Sequence, residues 1–235
     1  MTLTEAVAKL QTRFDVYQQC EVDSTNESIV TGILNVAAKK FSRDTLSFWS
    51  SQSAFTLTAD QYEYDLTDTA VCADRIFYPV GIYINGAWLQ AWDSNEFFQE
   101  FNDPNAGSNS KPGYFTLVAT NKIRIAPKPN ASAVAATNYA QGWRYMATMD
   151  WNSPSTELEG PDEWHDLIVD RAYLDNSVSY GLSQDALNMR NSIQIRYDSI
   201  AQKLNTENRN RYRKLIRTGD RMGADRRVFG VGQIL

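Results

Sequence analysis

Apolar positions recur at helical spacing near both ends of the chain and alternate with polar ones in its middle. Thr2-x-x-Glu5 matches a capping box, in which a hydroxyl and a carboxylate each satisfy an orphan backbone N–H, and predicts a helix to about Tyr17. Ser24-x-x-Glu27 repeats the device. Ile29, Ile33 and Val36, beside Val30, Leu34, Ala37 and Phe41, then give apolar stripes at helical spacing to about Arg43. From Phe55 the period drops to two, through Leu57, Tyr62, Tyr64 and Leu66, then Ile76, Tyr78, Val80, Ile82 and Ile84. Asn85-Gly86 predicts a hairpin turn, because both residues tolerate positive φ, with residues 87–91 as the returning strand. Asp93-x-x-Glu96 caps a short helix carrying Phe97, Phe98 and Phe101, and residues 102–110 read as a polar loop. A second hairpin spans residues 113–119 and 122–127, turning at Thr120-Asn121, and residues 133–146 read as one more strand. Residues 149–160 read as a linker rich in Ser, Pro and Thr. Pro161, placed at the first helical position, and the acids Asp162 and Glu163 then open a helix with Trp164, Leu167, Ile168, Leu174, Val178 and Leu182 on its stripe. A long helix follows, with Ala186, Met189, Ile193, Tyr197, Ile200 and Leu204 three and four apart.

Two helical pairs, each with an apolar stripe, bury those stripes most economically against each other. The fold class is therefore α+β: an antiparallel helical bundle of N- and C-terminal helices, with an inserted small β-sandwich or barrel and an extended C-terminal arm. The expected divisions are 1–50 and 149–217 for the bundle, 51–148 for the β-module and 218–235 for the arm.

Charge changes this picture at the end of the chain. Residues 196–235 carry ten Lys or Arg against four acids; the whole chain is −5, so residues 1–195 carry −11. An acidic body argues against a general nucleic-acid binder, which needs a basic face to neutralise phosphates. The basic run passes into a glycine-punctuated tail that ends on Val228, Phe229, Val231, Ile234 and Leu235. Such a segment holds too few large apolar residues to fold alone. It reads as an arm that docks on another subunit, or as a solubilising terminus.

Aromatic residues make up 12% of the chain, with tryptophans at 49, 88, 92, 143, 151 and 164. Cys20 and Cys72 share no spacing motif; two free thiols in a reducing compartment is the simplest reading, and one disulfide is the alternative. The opening residues do not resemble a signal peptide, and the apolar-looking run Ile76–Ile84 is too short to cross a membrane.

Catalytic chemistry finds little support. His165, the only histidine, lies beside Asp166 near a helix start, where a helical residue is a better reading than a base oriented by an acid. One His and two distant Cys do not make a metal site, and no phosphate-binding loop or nucleophile elbow is present. Asp60, Glu63 and Asp65 alternating with Tyr62 and Tyr64 read as solvent-facing acids rather than as a glycosidase pair. Glu157, Glu159, Asp162, Glu163, Asp166 and Asp170 form an acidic segment, read as a capped and solvated helix start that could also meet a neighbour's basic segment.

The order of these pieces resembles the head-to-tail adaptor proteins of tailed bacteriophages. The pieces are the two N-terminal helices, then Phe55-Thr56-Leu57-Thr58-Ala59-Asp60-Gln61-Tyr62-Glu63-Tyr64, then Val80-Gly81-Ile82-Tyr83-Ile84-Asn85-Gly86-Ala87-Trp88-Leu89. Lys111-Pro112-Gly113-Tyr114-Phe115-Thr116-Leu117 and Lys122-Ile123-Arg124-Ile125-Ala126-Pro127-Lys128-Pro129 follow, and Gly160-Pro161-Asp162-Glu163-Trp164-His165-Asp166-Leu167-Ile168 opens the C-terminal helices. The resemblance implies a structural virion protein with no catalytic residue and no cofactor. It implies a ring, of twelve copies, in the virion neck beneath the portal, assembled in the host cytoplasm without a membrane. Its partners would be the portal protein, its own copies, a tail or nozzle protein, and passing double-stranded DNA met without sequence specificity. The C-terminal extension would reach the portal through Arg209, Arg211, Arg213, Arg217, Arg221, Arg226, Arg227, Phe229, Ile234 and Leu235. The other readings are a carbohydrate-binding or receptor-binding tail component using Trp88, Trp92, Trp143 and Trp151, and a soluble hydrolase.

Overall fold

The computed structural model describes residues 1–17, 26–101, 111–177 and 184–219, with the backbone alone at 15–17 and 212–219. The chain divides into two compact units. One is helical and joins Met1–Ser47 to Met146–Asn210. The other has Phe48–Tyr145 as its continuous part and holds all the strands found among the described residues.

In the helical unit, α1 (Leu3–Tyr17) opens on the expected capping box. The Thr2 N–H donates to Glu5 at 2.8 Å, and the Glu5 N–H donates to the Thr2 hydroxyl at 3.3 Å. Two further orphan donors of this first turn, the N–H groups of Leu3 and Thr4, reach the carbonyls of Thr156 and Pro154, each at 3.2 Å. The stretch expected as a linker is thus held against the start of α1, with Leu158 buried. Helix α2 (Glu27–Thr45) is capped by Asn26, whose side chain accepts from the N–H groups of Ser28 and Ile29. The expected cap Ser24 lies outside the described residues. Helix α2 ends at Leu46 in the left-handed conformation, its N–H bonded to the Ser42 carbonyl.

The later helices are α5 (Asp162–Asn176) and α6 (Gln184–Gly219). Pro161 is the N-cap of α5 rather than its first residue. Val178 and Leu182, expected on its stripe, lie outside the described residues. Leu3, Leu10 and Phe14 of α1, Val30, Leu34 and Phe41 of α2, and Ile168, Ala172 and Tyr173 of α5 are all buried. Ring contacts join Phe14 to Tyr173 and Phe41 to Trp164, about the spacing at which aromatic pairs attract. Lys9 pairs with Asp166 and Arg13 with Asp170, so α1 and α5 advance together and run in the same direction.

The β-unit holds two four-stranded sheets and no closed barrel among the described residues. The first, in the order β1-β8-β3-β4, contains β1 (Trp49–Ala54), β3 (Ile76–Ile84), β4 (Ala87–Trp88) and β8 (Tyr139–Arg144). The second, β2-β7-β6-β5, contains β2 (Glu63–Asp65), β5 (Gln90–Ala91), β6 (Tyr114–Ala119) and β7 (Lys122–Ala126). Ile76, Ile82, Ile84 and Ala140 of the first sheet share one core with Tyr64, Phe115, Ile123 and Ile125 of the second, and Leu89 joins them.

Asn85 and Gly86, at φ 46° and 85°, make the hairpin between β3 and β4. The strand expected over residues 87–91 then splits. Trp88 pairs with Tyr83 in the first sheet, and Gln90 pairs with Tyr114 in the second, in parallel. Burying Leu89 at the crossing commits the chain to both sheets. The strand expected over residues 133–146 begins instead with α4 (Ala131–Ala135), because the Asn130 side chain caps Ala133 and the alanines favour helix. Strand pairing starts only at Tyr139. Around Phe55 the strand lies earlier than expected, in β1, and Phe55 makes an isolated bridge to Cys72. The short helix α3 (Ser94–Glu100) is capped by Asp93 as expected, while the polar loop 102–110 lies outside the described residues.

Candidate functional site

The candidate portal-binding residues begin near the end of α6, and polar ties to α2 fix that helix. Helix α2 leaves its last carbonyls without intrahelical donors. The side-chain amide of Asn205 donates to the Asp44 carbonyl at 2.6 Å, and that of Asn208 to the Thr45 carbonyl at 3.0 Å. Two turns earlier on α6, the Tyr197 hydroxyl donates to the Asp44 carboxylate at 2.9 Å. Burial, with the Asp44 charge and hydrogen bond, pushes the Tyr197 phenol well above its ordinary range. The Arg171 guanidinium lies 5.3 Å from the Tyr197 ring. Arg190 donates to the Ser177 hydroxyl at 3.0 Å.

Deeper in the unit, Asp170 is fully buried and takes Arg13 of α1 on one oxygen and Arg196 of α6 on the other. One carboxylate of α5 therefore joins three helices. Asp170, expected among the solvated acids at the helix start, is instead buried, because it sits within the apolar run Ile168, Val169 and Ala172, where only a paired charge is tolerated. Asn205 and Asn208 were harder to find: two poor helix formers three apart in a long helix were the only signal.

Beyond Asn208, Arg209 and Arg211 are exposed on α6. The backbone of α6 continues through Arg213 and Arg217 to Gly219, so the basic run is helical up to there. Arg221, Arg226, Arg227, Phe229, Ile234 and Leu235 lie outside the described residues.

The acidic segment is largely engaged within the chain. Asp162 meets the Met1 α-amino group at 2.6 Å, Asp166 meets Lys9 at 2.8 Å, and Glu159 accepts from the Ala147 N–H. The hydrogen bond from the α-amino group and then its charge hold the Asp162 carboxyl below the usual carboxylate range. His165 is buried, with Nδ1 3.2 Å from Asp162 and Nε2 3.1 Å from the Glu159 carbonyl. Both ring nitrogens are therefore occupied by structural partners. Among the described residues no group of three His, Cys, Asp or Glu could hold a metal ion, and no helix is long and apolar enough to cross a membrane.

The tryptophans proposed for a sugar-binding surface each have their own surroundings. Trp143 is 5% exposed, packed edge-on against Trp49 with centroids 4.9 Å apart. Trp92 packs against Phe101 and Tyr114, and Trp151 belongs to the helical unit. Trp88 is 54% exposed beside Tyr83.

The chain belongs to the SU10 adaptor protein family, whose model matches residues 1–221. It is a phage structural adaptor protein of the head-to-tail connector class. No curated protein matches the chain.

Proposed function

We propose that this adaptor forms a ring of twelve copies in the virion neck. There it docks beneath the portal, extends the DNA channel and offers a platform to a tail or nozzle protein. The observation that carries the docking is the continuity of α6, which runs unbroken from its ties on α2 into the basic run at Arg209 and Arg211. A rigid helix presents guanidinium groups at low entropic cost, and Arg suits bidentate pairing with carboxylates on a partner. Arg213, Arg217, Arg221, Arg226 and Arg227, with Phe229, Ile234 and Leu235, extend that contact. The net −11 of residues 1–195 suits a channel through which DNA slides, because like charges repel. Assembly takes place in the host cytoplasm, and the protein acts without chemistry of its own.

The test is cryo-EM of the full chain mixed with the portal ring encoded in the same genome, beside a chain lacking residues 218–235. The expected result is a stacked second ring for the full chain, and a folded truncated chain that no longer binds. A truncated chain that binds the portal as well as the full one refutes the docking.

A further inference from the structure

Helix α2 has two apolar faces, and the core of its own unit uses one. Val30, Leu34, Ala37 and Phe41 are buried. Ile29, Ile33 and Val36, at spacings of four and three, lie roughly a quarter-turn round the helix from that stripe, with Ile29 41% and Val36 53% exposed and Ile33 half-buried. Gly32 falls on this outer face, and a Cβ there would meet nothing within 4 Å. The same face ends in exposed Lys39 and Arg43. One helix surface therefore passes from apolar to basic. An isolated exposed Ile needs no explanation, but Ile29 and Val36 exposed on one stripe, with half-buried Ile33 between them and a glycine beside them, mark a contact surface.

The same unit carries a surface of complementary character. Trp151 is 46% exposed, where it lines a cavity with Leu3, Val7 and Thr31 of its own chain, and exposed Asp150, Glu157 and Glu163 flank it in sequence. One surface is apolar and basic, the other aromatic and acidic. Two unlike, complementary patches on one chain generate a head-to-tail contact, which builds a ring when its rotation closes.

We infer that the outer face of α2 docks on the Trp151 stretch of a second copy, with Gly32 admitting the indole close to the helix backbone and Lys39 and Arg43 meeting Glu157 and Glu163. The inference rests on the reading of this adaptor as a self-associating ring and names the surfaces that close it.

The first experiment is cross-linking of the full chain with a bismaleimide, in a Cys20→Ser background; Cys72 is fully buried and stays. Val36→Cys and Asn152→Cys chains are prepared separately. Mixed together they are expected to give cross-linked dimers, while each alone gives none. Dimers from Val36→Cys alone would mean the face pairs with itself, and no dimers in the mixture would mean it meets something else; either overturns the proposal. The second experiment is sedimentation. Lys39→Glu with Arg43→Glu is expected to weaken self-association about tenfold, since like charges then face each other. Adding Glu157→Lys with Glu163→Lys in the same chain is expected to restore it, and failure to restore it counts against the pairing. Rings without the Val36–Asn152 cross-link would leave the ring standing and remove this interface. A monomer at every concentration, alone and with portal, would remove both.

Discussion

Asp170 has no contact with solvent, and its charge is balanced by Arg13 and Arg196. Removing the carboxylate takes a charge-assisted partner from two arginines that keep some access to water, at a cost of roughly 1.5–3 kcal/mol. Asp170→Ala is therefore expected to lower the unfolding free energy by about that amount in a denaturant titration. Arg196→Ala is expected to cost less, because its side chain is half-exposed and water replaces part of the pairing. In the β-unit, Tyr64 is buried and its hydroxyl lies 2.8 Å from the Gln61 carbonyl and 3.0 Å from that of Thr58. Burial pushes its phenol up from 10.0 to about 12. A folded pKa above the unfolded one means the native state holds the proton more tightly. The corresponding stability is complete below pH 10.0 and is lost as pH rises toward about 12. Tyr64→Phe is expected to cost about 1 kcal/mol near neutrality, one hydrogen bond's worth, and to remove this contribution to the alkaline loss of stability. Thermal melts of both proteins from pH 8 to 12 would check it.

At the scale of elements, the caps were legible where chemistry is local. The Thr2–Glu5 box and the Asp93 cap formed as their spacing dictates, while the start of α2 moved to Asn26, which competes equally well for the same N–H groups. The division of residues 87–91 between two sheets was not legible. Alternation fixes which residues share a face, and it is silent on which strand will pair with them. Gly142 leaves no room for a side chain between β8 and its partner β3, since a Cβ there would lie 2.3 Å from the Tyr78 carbonyl oxygen. Gly142→Ala is expected to destabilise the β-unit by about 1–3 kcal/mol through overpacking, measured by thermal unfolding. Gly32→Ala acts in the opposite sense. It is expected to add up to about 1 kcal/mol to the stability of the monomer, because Gly is entropically costly within a helix, while weakening self-association. Paired melting and sedimentation runs separate the two effects.

For the whole molecule, the chain enters and leaves the β-unit side by side, with the Arg144 N–H donating to the Phe48 carbonyl at 3.0 Å. The unit also has its own buried core, from Phe55 to Ala140. Residues 48–145 expressed alone are therefore expected to unfold in one cooperative transition, visible by near-UV circular dichroism. A fragment with no near-UV signal would show that the helical unit is required to form that core.

Sequence alone determined most of the elements and their order, because helical and strand periodicities, caps and the Asn85-Gly86 turn are local signals; α4 and the division of residues 87–91 were not among them. It also determined the separation of an acidic body from a basic end, which is a property of composition. The tertiary structure decided what distance along the chain conceals. Residues 154–156 satisfy the N–H groups of α1, Asp170 binds two arginines from different helices, and Asn205 and Asn208 close the end of α2. The parallel course of α1 and α5 belongs with these. An apolar stripe states that a face will be buried. The partner is chosen by the packing of all the stripes at once, and that packing also left the outer face of α2 uncovered.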